Sequence, residues 1–286
     1  MIILGIDAGI SFIKTVIMDN EKILKTESTP APETKSVYTK TLIKIINNLD
    51  REFNNISVIT KTGIWSKLIS KDMFRKKIYD INEIHSLAYG TFHLTRKKRS
   101  LIVSVGTGTS ITFMDLENNK IKHVGGTGLG GGTLSGLSKL LLKQQNINKI
   151  DQIAKKGDLH NVDIFVDDIT DNYLDTLPED TTASNFGAIS ELNKPEDIAL
   201  GLINLITQNI ALLTYSTSKN LQVEKNIVYV GMLTKSIVFK EILFKTSKSL
   251  GYLPTIPQYS EYIVAIGSII AYQKMNKSYI LSKNFK

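Results

Sequence analysis

Apolar and polar positions along the chain follow two periods, and the changes between them mark the elements. Residues 2–7 (IILGID) form a short apolar run ending in an acid, and residues 11–18 (SFIKTVIM) and 22–27 (KILKTE) follow after turn-forming residues. Short runs between turns predict a β-meander. Apolar side chains then recur at spacings of three and four through residues 39–49 (TKTLIKIINNL), which predicts a helix. Residues 56–60 (ISVIT) predict another strand, and residues 81–95 (INEIHSLAYGTFHLT) a helix with acids near its start.

The pattern then begins again. Residues 101–106 (LIVSVG), 110–115 (SITFMD) and 120–124 (KIKHV) predict a second meander. GIDAGIS (5–11) and SVGTGTS (104–110) fall at equivalent strand-turn-strand positions. A repeat of this kind dictates architecture. It predicts two similar domains, residues 1–98 and 99–286, each offering a glycine hairpin to a shared cleft. After the second meander a glycine-rich loop runs into a helix through residue 144, and residues 145–195 predict short helices and loops. A long helix is expected at about 196–219, a buried strand at 226–231 (NIVYVG), and helices at 233–250 and 261–275. The fold class is α/β with mixed β-sheets flanked by helices.

With 286 residues, two compact domains are expected, and 42% hydrophobic with 22% charged residues is a globular balance. Cysteine is absent, which excludes disulfides, thiolate metal sites and a thiol nucleophile. The N-terminal segment lacks a basic leader, and no eighteen apolar residues run together, so a cytoplasmic protein with no membrane partner is expected. Net charge is +8, with basic clusters at residues 75–77 and 96–99. No aromatic platform or DNA-binding motif accompanies them, so they are expected as a solvated helix end and a lysine-rich linker, with no nucleic-acid partner.

Three elements carry chemistry. In the first hairpin Asp7 ends a strand and Gly9 forms the turn, so backbone N–H groups can approach phosphate oxygens and the acid can hold Mg²⁺ through water. The second hairpin, Gly106-Thr107-Gly108-Thr109-Ser110, supplies amides and hydroxyls without an acid. Together they predict phosphate binding, with the metal's carboxylate on one side only. The third element, residues 125–132, has six glycines in eight residues and opens into TLSGLSKLLL, which predicts free N–H groups and a positive helix end beside a ligand. Its spacing does not make a dinucleotide-binding site, because the preceding strand and the acidic partner do not match.

The ordered motifs DAGIS, GTGTS, VGGTGLGGG, KGD, NFG and NIVYVG resemble the type II pantothenate kinases over nearly the whole chain. That resemblance implies two duplicated ribonuclease H-like domains of the actin-like ATPase kind with a nucleotide cleft between them, ATP and Mg²⁺ as cofactors, phosphorylation of pantothenate on the way to coenzyme A, and a homodimer. It places Gly9, Ile10, Ser11 and Lys14, with Gly106, Thr107 and Gly108, along the phosphates. Gly130, Gly131, Gly132, Thr133, Leu134 and Ser135 fall near the nucleotide, and Gly231 with Met232 near the adenosine. Asp7 is the metal carboxylate. Glu83 stands at the family's catalytic base, where the residues by themselves leave two readings open, a carboxylate accepting the substrate hydroxyl proton and a first-turn glutamate favoured by the helix dipole. Asp80 competes with it.

Acceptor-side positions are Glu83, Thr107, Lys122, His123 and Gly125. The family carries an arginine at His123, and a histidine lacks that bidentate fork. Met232-Leu233 replaces typical serines, and Lys61-Thr62-Gly63 a more glycine-rich turn. Two alternatives follow: a kinase of the same fold for another hydroxyl compound such as an amino sugar, and a non-catalytic nucleotide or acyl-coenzyme A sensor. His85, His93 and His160 show no ligand-like spacing, and Trp65 and the tyrosines are expected only to pack.

Overall fold

The computed structural model describes residues 1–54, 56–70, 73–169 and 181–283, with the backbone alone from residue 277. The chain groups into two compact units. Unit 1 comprises Met1–Ile102, Thr112–His123 and Pro257–Lys286, and unit 2 comprises Val103–Ile111 and Val124–Ile256. This grouping differs from a single cut after residue 98, because the C-terminal segment belongs with the N-terminal strands.

Unit 1 is built on β1 (Ile2–Ala8), β2 (Phe12–Asp19), β3 (Lys22–Pro30), β4 (Ile56–Thr62) and β5 (Lys77–Asp80). The sheet order is β3-β2-β1-β4-β5, with β1, β2 and β3 antiparallel in succession and β1, β4 and β5 parallel. Central β1 is buried along nearly its whole length, as a strand covered on both faces must be. Edge strand β3 instead carries lysine, glutamate and a terminal proline, which blunt it against further pairing. Strand β5 escaped the hydrophobic pattern because only Ile78 of its four residues is buried. Lys77, expected to close a helix, therefore opens a strand.

Helix α1 (Lys35–Phe53) covers one face of this sheet through Tyr38, Leu42, Ile46 and Leu49, the spacing of a single helical stripe. Its cap is Thr34, whose hydroxyl accepts from Val37 N. Helix α2 (Glu83–Thr95) begins at Asn82, whose side chain accepts from Ile84 N and His85 N. It ends at Arg96 in the left-handed conformation, and Arg99 already starts the next strand, so the basic cluster there is a helix cap and a strand end rather than a linker.

The second meander comprises β6 (Arg99–Val105), β7 (Thr109–Asp115) and β8 (Lys120–Thr127), followed by α3 (Gly131–Leu142) and α4 (Ile147–Ala154). Short strands β9 (Ile164–Phe165) and β10 (Thr182–Ser184) form a two-stranded sheet. Then come α5 (Pro195–Leu221), β11 (Ile227–Val230) and α6 (Ile237–Ser249). The four-stranded sheet runs β11-β6-β7-β8, the same succession of first, second and third meander strands beside a later strand that unit 1 shows. The predicted duplication is thus visible in strand order. Helix α5 has the length and composition of a membrane span, yet Asp197, Asn204, Thr207 and Thr214 are buried along it and it packs on α3, α4 and α6.

The KGD and NFG motifs serve α5. Asp197 accepts from Asp158 N at 2.8 Å, and buried Asp163 accepts from Phe186 N at 2.8 Å and Asn204 Nδ2 at 2.7 Å. Part of the 145–195 stretch lies outside the described residues.

Helix α7 (Ile263–Lys283) returns to unit 1 and closes its second face with Ala265, Ile266 and Ile269 against Ile3, Val16 and Val58. Its contact with α2 has no room for side chains. A Cβ on Gly267 would lie 1.6 Å from the Ser86 carbonyl oxygen, and one on Gly90 would lie 2.1 Å from that of Ile263. Gly267→Ala is therefore expected to destabilise the protein by about 3 kcal/mol or more through overpacking. Gly136→Ala, where a Cβ meets nothing within 4 Å in α3, should leave stability unchanged or raise it by up to about 1 kcal/mol. Urea denaturation of both variants measures the contrast, and a wild-type midpoint for Gly267→Ala would contradict this packing.

Candidate active site

The first hairpin is held from several directions. Gly9 N donates to Phe12 O at 3.2 Å across the turn, and Trp65 N donates to Ala8 O at 3.0 Å. Tyr38, buried at the start of α1, donates its hydroxyl to Gly9 O at 2.8 Å and packs its ring 5.8 Å from that of Trp65. Lys35 lies over the indole. Burial of the Tyr38 hydroxyl, with the negative charge of Asp7 nearby, pushes its pKa well above the ordinary tyrosine range.

Asp7, the penultimate residue of β1, is buried, and antiparallel register places Lys14 directly opposite it on β2. Lys14 Nζ stands 3.2 Å from Asp7 Oδ2. Parallel register puts Thr62 of β4 on the other side of Asp7, with its hydroxyl buried and lacking a hydrogen-bond partner. Gly63 follows with φ +91°, and a Cβ there would come 2.8 Å from Asp7 Oδ1. This position requires glycine both by conformation and by space.

Glu83 is the first residue of α2, where the helix dipole favours a carboxylate. Solvent reaches it, yet its pKa is raised, first by desolvation and next by the negative charge of Asp7, while Lys14 acts in the opposite sense. The structure thus brings Asp7, Lys14 and Glu83 into one electrostatic cluster. Asp80, the competing acid, is occupied differently: its Oδ1 pairs with Lys61 Nζ at 3.0 Å.

Among the described residues no group of three or more His, Asp or Glu side chains could enclose a metal ion. A single carboxylate fits Mg²⁺, which keeps most of its waters and takes its other ligands from phosphate oxygens. Asp7 is a carboxylate of that kind, and among the described residues there is no all-protein cage.

The second hairpin and the glycine loop form one tight assembly within unit 2. Gly106 N donates to Gly108 O at 2.9 Å. Gly131 N then donates to Gly106 O and Gly132 N to Thr107 O, both at 2.8 Å. This corrects the expectation that the opening amides of α3 are free for a ligand: two of them bind hairpin carbonyls. The glycines permit that approach. A Cβ on Gly130 would sit 2.7 Å from Thr107 O, and one on Gly126 would sit 2.4 Å from Thr109 O. Strand β8 also runs to Thr127, so residues 125–127, expected as loop, are strand.

Other expected nucleotide residues are also engaged in structure. Leu134 is buried, Ser135 donates its hydroxyl to Gln145 O at 3.1 Å, and Thr133 donates to Gly128 O at 2.8 Å. Thr107 is exposed at the hairpin tip, as Ile10 and Ser11 are at the first. Gly231 has φ +103°, and its Cβ would approach Val105 O to 2.4 Å, so the chain before Met232 lies against the end of β6. Lys122 and His123 are exposed neighbours on β8, and Gly125 has open space around it. Lys61, Thr62, Tyr38 and Trp65 carry no chemical signature in the sequence; only the departure at Lys61-Thr62-Gly63 marked the position.

The bond from Tyr38 to Gly9 supports the hairpin directly. Tyr38→Phe should lower stability by about 1 kcal/mol, the usual net contribution of one hydrogen bond, with the fold retained. Chemical denaturation checks this, and unchanged stability would mean the hydroxyl does not brace the turn.

A type II pantothenate kinase of Oceanobacillus iheyensis is 28% identical over 277 residues, covering 94% of this chain and 98% of the relative. Among solved structures, the activator of 2-hydroxyisocaproyl-CoA dehydratase from Clostridium difficile, with bound ADPNP, has a TM-score of 0.69 at 17% identity, covering 97% of each chain. A ROK family glucokinase from Streptomyces griseus, in complex with glucose and AMPPNP, has a TM-score of 0.62 at 11% identity, covering 94% of this chain and 98% of the other. These likenesses fix the fold as that of the actin-like ATPases and ROK kinases. The Fumble family model matches residues 66–252, more than half of the sequence, and the chain therefore belongs to the Fumble family.

Proposed function

We propose that this protein is a pantothenate kinase: it transfers the γ-phosphoryl group of ATP to the hydroxyl of pantothenate, the entry step of coenzyme A synthesis. Full-length relatives named type II pantothenate kinase support the substrate, and nucleotide-bound neighbours of the same fold support ATP. The observation that carries the chemistry is the pairing of two unlike carboxyls in unit 1. Asp7 is met by the Lys14 ammonium, while Glu83 is raised by desolvation and by Asp7.

Phosphoryl transfer is mainly positioning and charge stabilisation. The family resemblance supports residues 9–14 as a phosphate-binding segment and, taken by themselves, residues 106–108 as another, and Lys14 offsets negative charge developing on phosphate oxygens beside it. Gly231 and Met232 border the adenosine. Glu83 accepts the proton of the acceptor hydroxyl as that oxygen bonds to the γ-phosphorus and ADP departs. Asp7 would hold Mg²⁺ through water, and the ion would supply charge neutralisation to the phosphate oxygens. The family resemblance supports a cytoplasmic homodimer. His123, standing where an arginine is the family's usual residue, favours a second reading in which the acceptor is another hydroxyl compound such as an amino sugar.

Glu83→Gln should reduce turnover by about 10²–10⁴-fold while ATP binding persists. ADP release over pantothenate, pantetheine and amino sugars tests both readings; turnover with amino sugars alone would exclude pantothenate.

Glu83 must be deprotonated to act as base, and its pKa is raised above 4.5. Activity is therefore expected to fall as pH drops through a midpoint above the ordinary glutamate value. Because Lys14 lowers that pKa, Lys14→Met should move the normalised acid limb to higher pH. A limb that stays in place under Lys14→Met would separate it from Glu83.

A further inference from the structure

Among the described residues Lys61 is the only buried lysine or arginine, and the mechanism above does not use it. Burying an ammonium is unfavourable unless its donors are satisfied. Here the set is complete: Lys61 Nζ donates to Ser66 O at 3.0 Å and Ile69 O at 2.7 Å, and pairs with Asp80 Oδ1 at 3.0 Å. An apolar side chain of similar length would fill the space without the desolvation penalty. What the ammonium adds is a defined geometry among three segments.

Those segments flank the two carboxyls. On one side, Asp80 is the register partner of Lys61, and Ile81 N donates to Lys61 O at 2.9 Å. Only Ile81 and Asn82 separate Asp80 from Glu83, and Asn82 is the cap that starts the helix. On the other side, the turn carrying Ser66 and Ile69 begins at Trp65, which donates to Ala8 O beside Asp7. Side chains alternate along β4, so Lys61 lies on the α1 face with Ile59, while Thr62 and Asp7 share the opposite face. The tie is made from behind the sheet.

We infer that Lys61 is a positioning residue that, through Asp80, sets where Glu83 stands relative to the Asp7 hairpin. This rests on the reading of Glu83 as the base. Misplacement of a reacting group by about 1 Å lowers rate on the order of 10²-fold. Asp80→Ala cuts the tie to α2 at a side chain that is 60% exposed and leaves Lys61 Nζ its bonds to Ser66 O and Ile69 O. Lys61→Met cuts both ties.

The experiment measures kcat and the KM for ATP in Asp80→Ala, Lys61→Met, Glu83→Gln and the Asp80→Ala/Glu83→Gln double variant. The expected result is a kcat loss of about 10-fold or more in Asp80→Ala, and a larger one in Lys61→Met, with KM for ATP within about twofold. The double variant should be no slower than Glu83→Gln alone, because a residue acting through Glu83 has nothing left to position. Full kcat in Asp80→Ala, or a loss that multiplies with that of Glu83→Gln, overturns the inference while Glu83 stays the base. Wild-type kcat in Glu83→Gln overturns the base assignment itself. If Lys61→Met does not fold, the Asp80→Ala cycle decides alone.

Discussion

A carboxylate at the end of a strand buried on both faces demands an opposite charge within reach, and the pair of Asp7 and Lys14 meets that demand in unit 1. Antiparallel register makes the pair: seven residues apart in sequence, the two face each other across the hairpin. The surrounding structure serves this arrangement. Tyr38 and Trp65 hold the turn at the Gly9 and Ala8 carbonyls, and Gly63 leaves the space that Asp7 Oδ1 occupies. The helix that carries Glu83 then begins within the electrostatic reach of both.

The second glycine hairpin is built on a different principle. No acid lies in it, and its stability comes from backbone meeting backbone. Gly126, Gly130 and Gly132 allow the chain before and at the start of α3 to press on residues 107–109 at distances a side chain would block. Two amides at the α3 terminus satisfy hairpin carbonyls, so the helix braces the turn. Glycine richness here reflects close approach of backbone to backbone within the protein.

Closure of unit 1 depends on a segment from the far end of the chain. Central β1 needs cover on its second face, and α7 supplies it with Ala265, Ile266 and Ile269. Helix α7 also lies close against α2, where Gly90 and Gly267 carry no side chain, and against β4, where Thr60 and Ser268 share a hydroxyl hydrogen bond of 2.7 Å. A glycine or serine in an apolar helix shows no periodic signal, which is why the domain grouping was not legible.

The sequence by itself determined the two meanders, their duplication, the helices α1, α2, α5 and α6, and the acid at the end of β1, because apolar periodicity and glycine turns are local properties. It also marked Glu83, through motif order rather than through any pattern of its own. Only the tertiary structure decided that α3 spends its first amides on the hairpin, that β5 exists with a single buried residue, that Asp80 is bound to Lys61, and that α7 belongs to unit 1. Each of those facts is a pairing between residues distant along the chain, and such pairings are set by register and packing, which no local pattern encodes.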